Sequence, residues 1–274
     1  MRQQQGKFIL FDLGEFAAFL KALTVNRTIS LIQNHHTFIP SYKDFNGSNH
    51  FDRLRSMEEA HLQRGFSEIA QNLTTFPDGT VAACRAFDTA PAGIKGANTH
   101  GLCIENLGDF DVNQDAMTQA QHDTIIQVNA LLCQRFNLTP STDSIVYHHW
   151  FDLNTGQRTN GTGTTKTCPG TGFFGGNTVE SAQANFIPLI SQQLAALSGG
   201  GSTGDSAALF SAQVTATALN IRNQPDLSGA ILGQLANGSL VQVFEEQNGW
   251  GRIDPSESRW VNERFLQKQM AVGN

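Results

Sequence analysis

The sequence predicts an α/β fold, a central mixed β-sheet flanked by helices, followed by a small all-β barrel. Three observations carry this. Over residues 1–198, short apolar runs rich in β-branched residues alternate with longer amphipathic tracts, the pattern of a sheet covered by helices. Core-building side chains then vanish across Ser198-Gly199-Gly200-Gly201-Ser202-Thr203-Gly204-Asp205-Ser206, a composition that behaves as flexible coil. Beyond it, the chain has only short strand-like runs, separated by turn-forming pairs. The division is therefore 1–198, a Gly/Ser linker at 199–206, and 207–274.

Taken in order, residues 28–33 (TISLIQ), 80–85 (TVAACR), 102–107 (LCIENL) and 144–147 (SIVY) read as buried strands, because they are short and apolar. Residues 48–64 read as a helix, with Phe51, Leu54, Met57 and Leu62 recurring among charges. The tract 118–136 places Ile125, Val128, Leu132 and Phe136 on one face, and 179–197 does the same with Val179, Ala182, Phe186, Ile190 and Leu194. Pro188 should bend that last helix, since it lacks an N–H and crowds the preceding turn. In 207–274 the predicted strands are 214–222, 229–235, 239–245, 250–253 and 259–262, broken by Pro225-Asp226, Asn237-Gly238 and Asn248-Gly249.

Composition narrows the function. A net charge of -6 and a pI near 5.7 leave no basic stripe, so nucleic acid is not an expected partner. The run Phe8-Ile9-Leu10-Phe11 is too short for a membrane span or a signal-peptide core. Cys84, Cys103, Cys133 and Cys168 are widely separated, which argues against a disulfide framework or an all-cysteine zinc knuckle. The first three sit in apolar stretches, as core thiols do. Cys168 instead has polar, glycine-rich neighbours.

Two histidine pairs fall at strand ends, Asn34-His35-His36-Thr37 and Tyr147-His148-His149-Trp150, where a rigid sheet can hold a metal ligand still. With Cys168 in Lys166-Thr167-Cys168-Pro169, the chain supplies two imidazoles and a thiolate. Three protein ligands leave the fourth position of a zinc ion open to water. Glu105 interrupts an otherwise apolar strand, a costly place for a carboxylate unless it is paired, hydrated or functional; a solvated strand face is the ordinary alternative.

His35-His36-Thr37, Gly65-Phe66-Ser67-Glu68-Ile69, Phe76-Pro77-Asp78-Gly79-Thr80-Val81, Leu102-Cys103-Ile104-Glu105 and Lys166-Thr167-Cys168-Pro169-Gly170 occur in an order that resembles the zinc N-acetylmuramoyl-L-alanine amidases. That family includes amidase-type lysozymes of bacteriophages and is similar in fold to peptidoglycan recognition proteins. The resemblance covers about residues 25–195. It implies His35, a histidine of the His148-His149 pair with His148 preferred, and Cys168 as ligands of Zn2+. It also implies Glu105 as the proton acceptor and Lys166 as the oxyanion partner. Two departures stand out: Gln71 occupies the place where relatives often carry Tyr, and a Gly/Thr/Asn-rich stretch, 150–165, separates the second ligand from the third. Of the remaining histidines, His50, His61, His100 and His122 read as surface or helix-face residues, with His100 the one nearest the expected substrate groove. Pro91-Ala92-Gly93 and Lys95-Gly96-Ala97-Asn98 resemble a loop bordering that groove.

Residues 210–268 resemble bacterial SH3-like domains, through Leu219-Asn220-Ile221-Arg222, Gly249-Trp250-Gly251-Arg252-Ile253 and Trp260-Val261. The resemblance implies a cell-wall-binding module in which Trp250 and Trp260 line either a ligand groove or the barrel core. The expectations are then zinc-dependent cleavage of the amide between N-acetylmuramic acid and L-alanine in bacterial peptidoglycan, with a non-catalytic peptidoglycan-binding protein as the alternative. A metallopeptidase cutting within the stem peptide is a third possibility. Without a recognisable signal peptide, a phage endolysin or an enzyme exported by another route is expected, acting on the cell wall.

Overall fold

The computed structural model describes residues 2–199, 209–254 and 257–268. The chain forms two compact units, Met1–Ser198 and Gly199–Asn274. Of the expected linker 199–206, residues 200–206 lie outside the described residues.

Unit one is built on a seven-stranded mixed sheet in the order β1-β2-β5-β4-β6-β3-β7. Its strands are β1 (Gln3–Gln5), β2 (Phe8–Phe11), β3 (Leu31–His36), β4 (Leu73–Thr75), β5 (Val81–Ala83), β6 (Gly101–Asn106) and β7 (Ile145–Tyr147). β3 pairs parallel with both β6 and β7, and β4 pairs parallel with β6, whereas β1, β2, β5 and β4 are joined antiparallel.

The helices are α1 (Leu13–Ala22), α2 (His50–Gln63), α3 (Gln119–Phe136), α4 (Val179–Ser181) and α5 (Ile187–Gly199). Asp12 and Glu15 close a capping box at the start of α1, satisfying amides that a helix leaves unpaired at its first turn. Thr118 caps α3 by accepting from Gln121 N, and Asn137 ends it in the left-handed conformation at φ 54°. The expected bend at Pro188 takes a different form. The turn Ala182–Phe186 widens into a π-helix just before α5, where Pro188 has no N–H to give to the Ala184 carbonyl.

Strand alternation sorts side chains between two cores. In β2, Ile9 and Phe11 join the cluster that contains Phe16 and Leu20 of α1 and Ile125, Val128 and Leu132 of α3. Phe8 and Leu10 face the other side, with Phe51, Leu54 and Met57 of α2. β6 divides the same way: Leu102 and Ile104 enter the α1/α3 core, which leaves Cys103 and Glu105 on the α2 side. On β3, Ile32 joins the α1/α3 core. Asn34 points the same way and exchanges amide hydrogen bonds with Asn129 of α3, at 2.9 and 3.2 Å. Gln33 and His35 consequently look toward α2.

Unit two is all-β. One sheet has the order β10-β9-β14-β13-β12 and the other β11-β8-β15, formed by β8 (Phe210–Val214), β9 (Ala218–Arg222), β10 (Ile231–Ala236), β11 (Leu240–Val243), β12 (Glu245–Gln247), β13 (Trp250–Arg252), β14 (Trp260–Asn262) and β15 (Leu266–Lys268). All pairings described are antiparallel. Val214, Leu219, Ile221 and Val261 form its core. Trp250 and Trp260 are both buried, so they serve the interior of this unit rather than an open groove. The run 214–222 is two strands, not one, because the chain turns at 215–217 to pass from one sheet to the other.

Candidate active site

The register of three parallel strands assembles the site. Asn34 lies beside Tyr147, and His35 beside Glu105. The next residue after β7 is His148, and it arrives next to His35: their Nδ1 atoms are 3.2 Å apart. Both rings are buried. Two nitrogens sharing a tetrahedral zinc at ~2.0–2.1 Å stand ~3.3 Å from each other, so this spacing suits a shared cation.

His149 is directed elsewhere. Its Nδ1 meets the Lys166 carbonyl at 2.7 Å, and its backbone N–H donates to the Cys168 carbonyl, also at 2.7 Å. His149 thus fastens the loop that carries Cys168, while His148 faces the site. Asn177 adds a second tie, donating from Nδ2 to the Thr167 carbonyl, and the buried Trp150 indole donates to the Asn177 carbonyl. The long stretch 150–165 is closed by Asp152, whose carboxylate accepts from the amides of Asn154, Thr155 and Thr164. The ligating atoms of His35, His148 and Cys168 all lie within 4.8 Å of one another.

The donor set fits a zinc ion. Burial pushes the His35 pKa well down, with His148 adding to the effect, and burial followed by the Lys166 charge lowers that of His148 to about 4. Both rings therefore stay neutral, with lone pairs available at physiological pH. Burial, and then Glu105, raise the Cys168 thiol well above its ordinary value, a proton that metal binding displaces. A second set, His35, Cys103 and Glu105, is equally close. Cys103, however, does not reach the groove, so that set offers no open position to a substrate.

The three residues form the floor of an open groove of about 510 Å³. Glu105 lines it, with Oε1 3.9 Å from His35 Nδ1 and Oε2 buried without a hydrogen-bond partner among the described residues. Burial raises its pKa to about 8, against the opposing pull of Lys166 and then Arg64. Lys166 is exposed on the same rim, and Thr37, Ala92 and Gly93 also border the groove. The far wall comes from the C-terminal part of α2 and the turn after it: Met57, Ala60, His61, Arg64 and Phe66.

His61 and Arg64 have a place in the groove that no sequence motif assigned to them, and Phe66 of the Gly65-Phe66-Ser67 motif joins them there. The His61 ring stacks on Phe66 at 5.3 Å and accepts from Ala70 N, while the Arg64 guanidinium lies 5.1 Å from the Phe66 ring. Helical spacing from Met57 and Ala60 was the available signal, since residues three to four apart share a helix face. His100, by contrast, lies away from the groove. It directly precedes β6, and in a parallel pair that is the opposite end from His35 and Glu105; its Nδ1 meets Thr28 O. Gln71 is also absent from the groove walls. It is fully buried, and its Nε2 donates to Thr74 Oγ1 at 3.0 Å. His50 is a buried partner of Asp78, at 2.7 Å, tying the start of α2 to the β4–β5 turn.

Residues 25–171 match the family described as N-acetylmuramoyl-L-alanine amidase, and residues 217–267 match the bacterial SH3 domain. No curated protein matches the chain significantly. Among solved structures, the chain is similar to Drosophila peptidoglycan recognition protein SA, at 18% identity and a TM-score of 0.45, over 59% of this chain and 81% of that one. It is also similar to the endolysin N-acetylmuramoyl-L-alanine amidase LysCS from Clostridium intestinale URNW, at 20% identity and a TM-score of 0.40, over 53% of this chain and 78% of that one. Drosophila PGRP-LB gives 18% identity and a TM-score of 0.45 over 56% and 81%.

Proposed function

Because the chain belongs to the N-acetylmuramoyl-L-alanine amidase family, we propose that it hydrolyses the amide joining the lactyl group of N-acetylmuramic acid to L-alanine in peptidoglycan, using zinc held by His35, His148 and Cys168. The observation that carries this reading is the convergence of two neutral imidazoles and a thiol on the floor of an open groove, beside a carboxyl with one unpartnered oxygen. Zinc bound there supplies Lewis acidity, polarising the scissile carbonyl and acidifying a water.

The residues of the chain supply the rest. Glu105 takes the water proton at its carboxylate and returns it to the departing alanine nitrogen, serving first as general base and then as general acid. Lys166 places an ammonium near the same centre, where negative charge grows on the former carbonyl oxygen, and this favours the transition state over bound substrate. The apolar wall of Met57, Ala60 and Phe66 gives the peptide a surface to lie against. The bacterial SH3 domain is proposed to hold the enzyme on the wall.

Metal analysis together with a turbidity assay on isolated walls tests the proposal. One zinc per chain and activity abolished by a chelator, then restored by zinc, are expected. Wall binding without lysis in the zinc-loaded protein would instead mark a peptidoglycan-binding protein that does not cut.

A further inference from the structure

We propose that Gln33 is a positioning residue for the metal centre: its Oε1 accepts the hydrogen bond offered by His35 Nε2–H, directly or through one water, and so keeps Nδ1 of that ring free to face His148 and Cys168. The consequence for catalysis rests on the zinc reading above.

Gln33 and His35 are two residues apart on β3 and share a face. Gln33 is wholly buried, a costly site for an amide unless both of its ends are used. One end is used. Nε2 donates to the Ala97 carbonyl at 2.9 Å and lies 3.4 Å from Asn98 Oδ1. That fixes the orientation of the amide, since the nitrogen must face these acceptors, and it turns Oε1 toward Gly93. A Cβ at Gly93 would stand 2.4 Å from Gln33 Oε1 and 3.1 Å from His35 Nε2. The two atoms thus flank one point, and each is buried without a hydrogen-bond partner among the described residues.

The pair is complementary. An amide oxygen only accepts, and a neutral imidazole whose Nδ1 is unprotonated carries a donor at Nε2. Placing the proton on Nε2 leaves the Nδ1 lone pair facing His148 Nδ1, 3.2 Å away. A metal-ligating histidine generally needs such a partner on its other nitrogen to fix its tautomer and ring orientation. Cys103 Sγ lies 2.9 Å from the same point beside Gly93 and is the competing acceptor, but a thiol sulfur accepts weakly.

The test uses the full-length chain and its Gln33→Leu, Gln33→Glu and Cys103→Ala variants, with two readouts: zinc affinity by chelator competition, and ring nitrogen NMR of His35 in metal-free protein. Leucine removes the oxygen and the donor to Ala97; glutamate keeps an acceptor oxygen and puts a second oxygen, charged when ionised, in place of the donor. Gln33→Leu is expected to weaken zinc binding by ~10–100-fold and to mix the His35 tautomers. Gln33→Glu and Cys103→Ala are expected to hold zinc near the wild-type affinity, with the proton on Nε2. Equal losses in the leucine and glutamate variants, the leucine phenotype in Cys103→Ala, or a wild-type His35 protonated on Nδ1 would each overturn the proposal. A wild-type chain that binds no zinc, yet keeps its proton on Nε2 only while Gln33 is present, would sink the zinc reading and with it the metal-positioning role, leaving only the hydrogen bond between His35 and Gln33.

Discussion

Glu105 has one oxygen 3.9 Å from His35 and the other buried and unpartnered, so its loss should affect proton transfer more than binding. Glu105→Gln is expected to lower the rate of wall hydrolysis by ~10²–10⁴-fold, with zinc content and wall binding retained; steady-state assays beside a pull-down on walls check this. His61 gives a pH prediction. Burial lowers its pKa from 6.5 to about 4, with Arg64 and then Arg85 adding to the effect and Glu58 opposing it. Its folded form is neutral and accepts from Ala70 N, whereas the unfolded chain takes up a proton at about 6.5. A depressed histidine pKa means that this contribution to stability is present above pH 6.5 and is lost as the pH falls toward about 4. Melting temperatures of wild type and His61→Gln between pH 7.5 and 4.5 should converge toward the acid end. At this scale residue types and local motifs went far. His35, Cys168, Lys166 and Glu105, which the structure gathers at one groove, all stand in motifs visible in the sequence. The choice of His148 over His149 was only a preference there, because two adjacent histidines differ in direction and not in composition. The structure separates them through the hydrogen bonds of His149 to the Cys168 loop. The burial of Gln71 and the distance of His100 from the groove depend on packing and strand direction, which a linear motif does not contain.

Among the elements, β3 and the loop ending in Cys168 must hold still relative to each other. Gly170 makes that approach possible: its φ is 116°, and a Cβ would stand 2.4 Å from both the carbonyl carbon and the oxygen of Phe110. Backbone has little freedom to yield there. Gly170→Ala is expected to cost ~1–3 kcal/mol, seen as a lower melting temperature, and to weaken zinc retention because Cys168 is two residues away. The Asn34–Asn129 pair fixes β3 against α3 from the other face. Asn129→Ala leaves the Asn34 amide buried without its partner, at a cost of ~1–3 kcal/mol, measurable by denaturant titration. Strongly periodic helices were legible: 48–64 and 118–136 match α2 and α3 closely. The strands were harder. β4 is Leu-Thr-Thr, and its threonines are buried by side-chain hydrogen bonding, Thr74 with Gln71 and Thr75 with Asn106, so no apolar run announces it. β1 is three exposed glutamines on the sheet edge, paired with β2 and tied to α2 by Arg55, which donates to Gln5 Oε1 at 2.7 Å. β3 begins at Leu31 and runs through His36, because its parallel ladder with β6 continues past the apolar residues to His36, whereas that with β7 stops at Asn34.

For the whole molecule, the consequence of two units with separate cores is separable labour. A chain ending at Ser198 retains every residue of the groove. It is expected to hydrolyse a soluble muramyl-peptide fragment at nearly the full-length rate and to clear intact walls more slowly, since losing a tethered binding module lowers the effective concentration of enzyme on the polymer. Equal clearance by both chains would remove the wall-targeting role from the SH3 domain. The change from helix-covered sheet to short paired strands was visible in the sequence because the two architectures demand different hydrophobic periods. The burial of Trp250 and Trp260 was not, since an aromatic residue in a strand suits a core and a binding face equally well.

The most direct test of the central claim is mass spectrometry of the fragments released from purified peptidoglycan by the zinc-loaded enzyme. Intact glycan strands whose N-acetylmuramic acid residues end in a free lactyl carboxylate are expected, together with peptides that begin at a new L-alanine amino terminus, and neither product once zinc is removed. Fragments cut between sugars or within the stem peptide, or the same fragments released in full by metal-free protein, would contradict that claim.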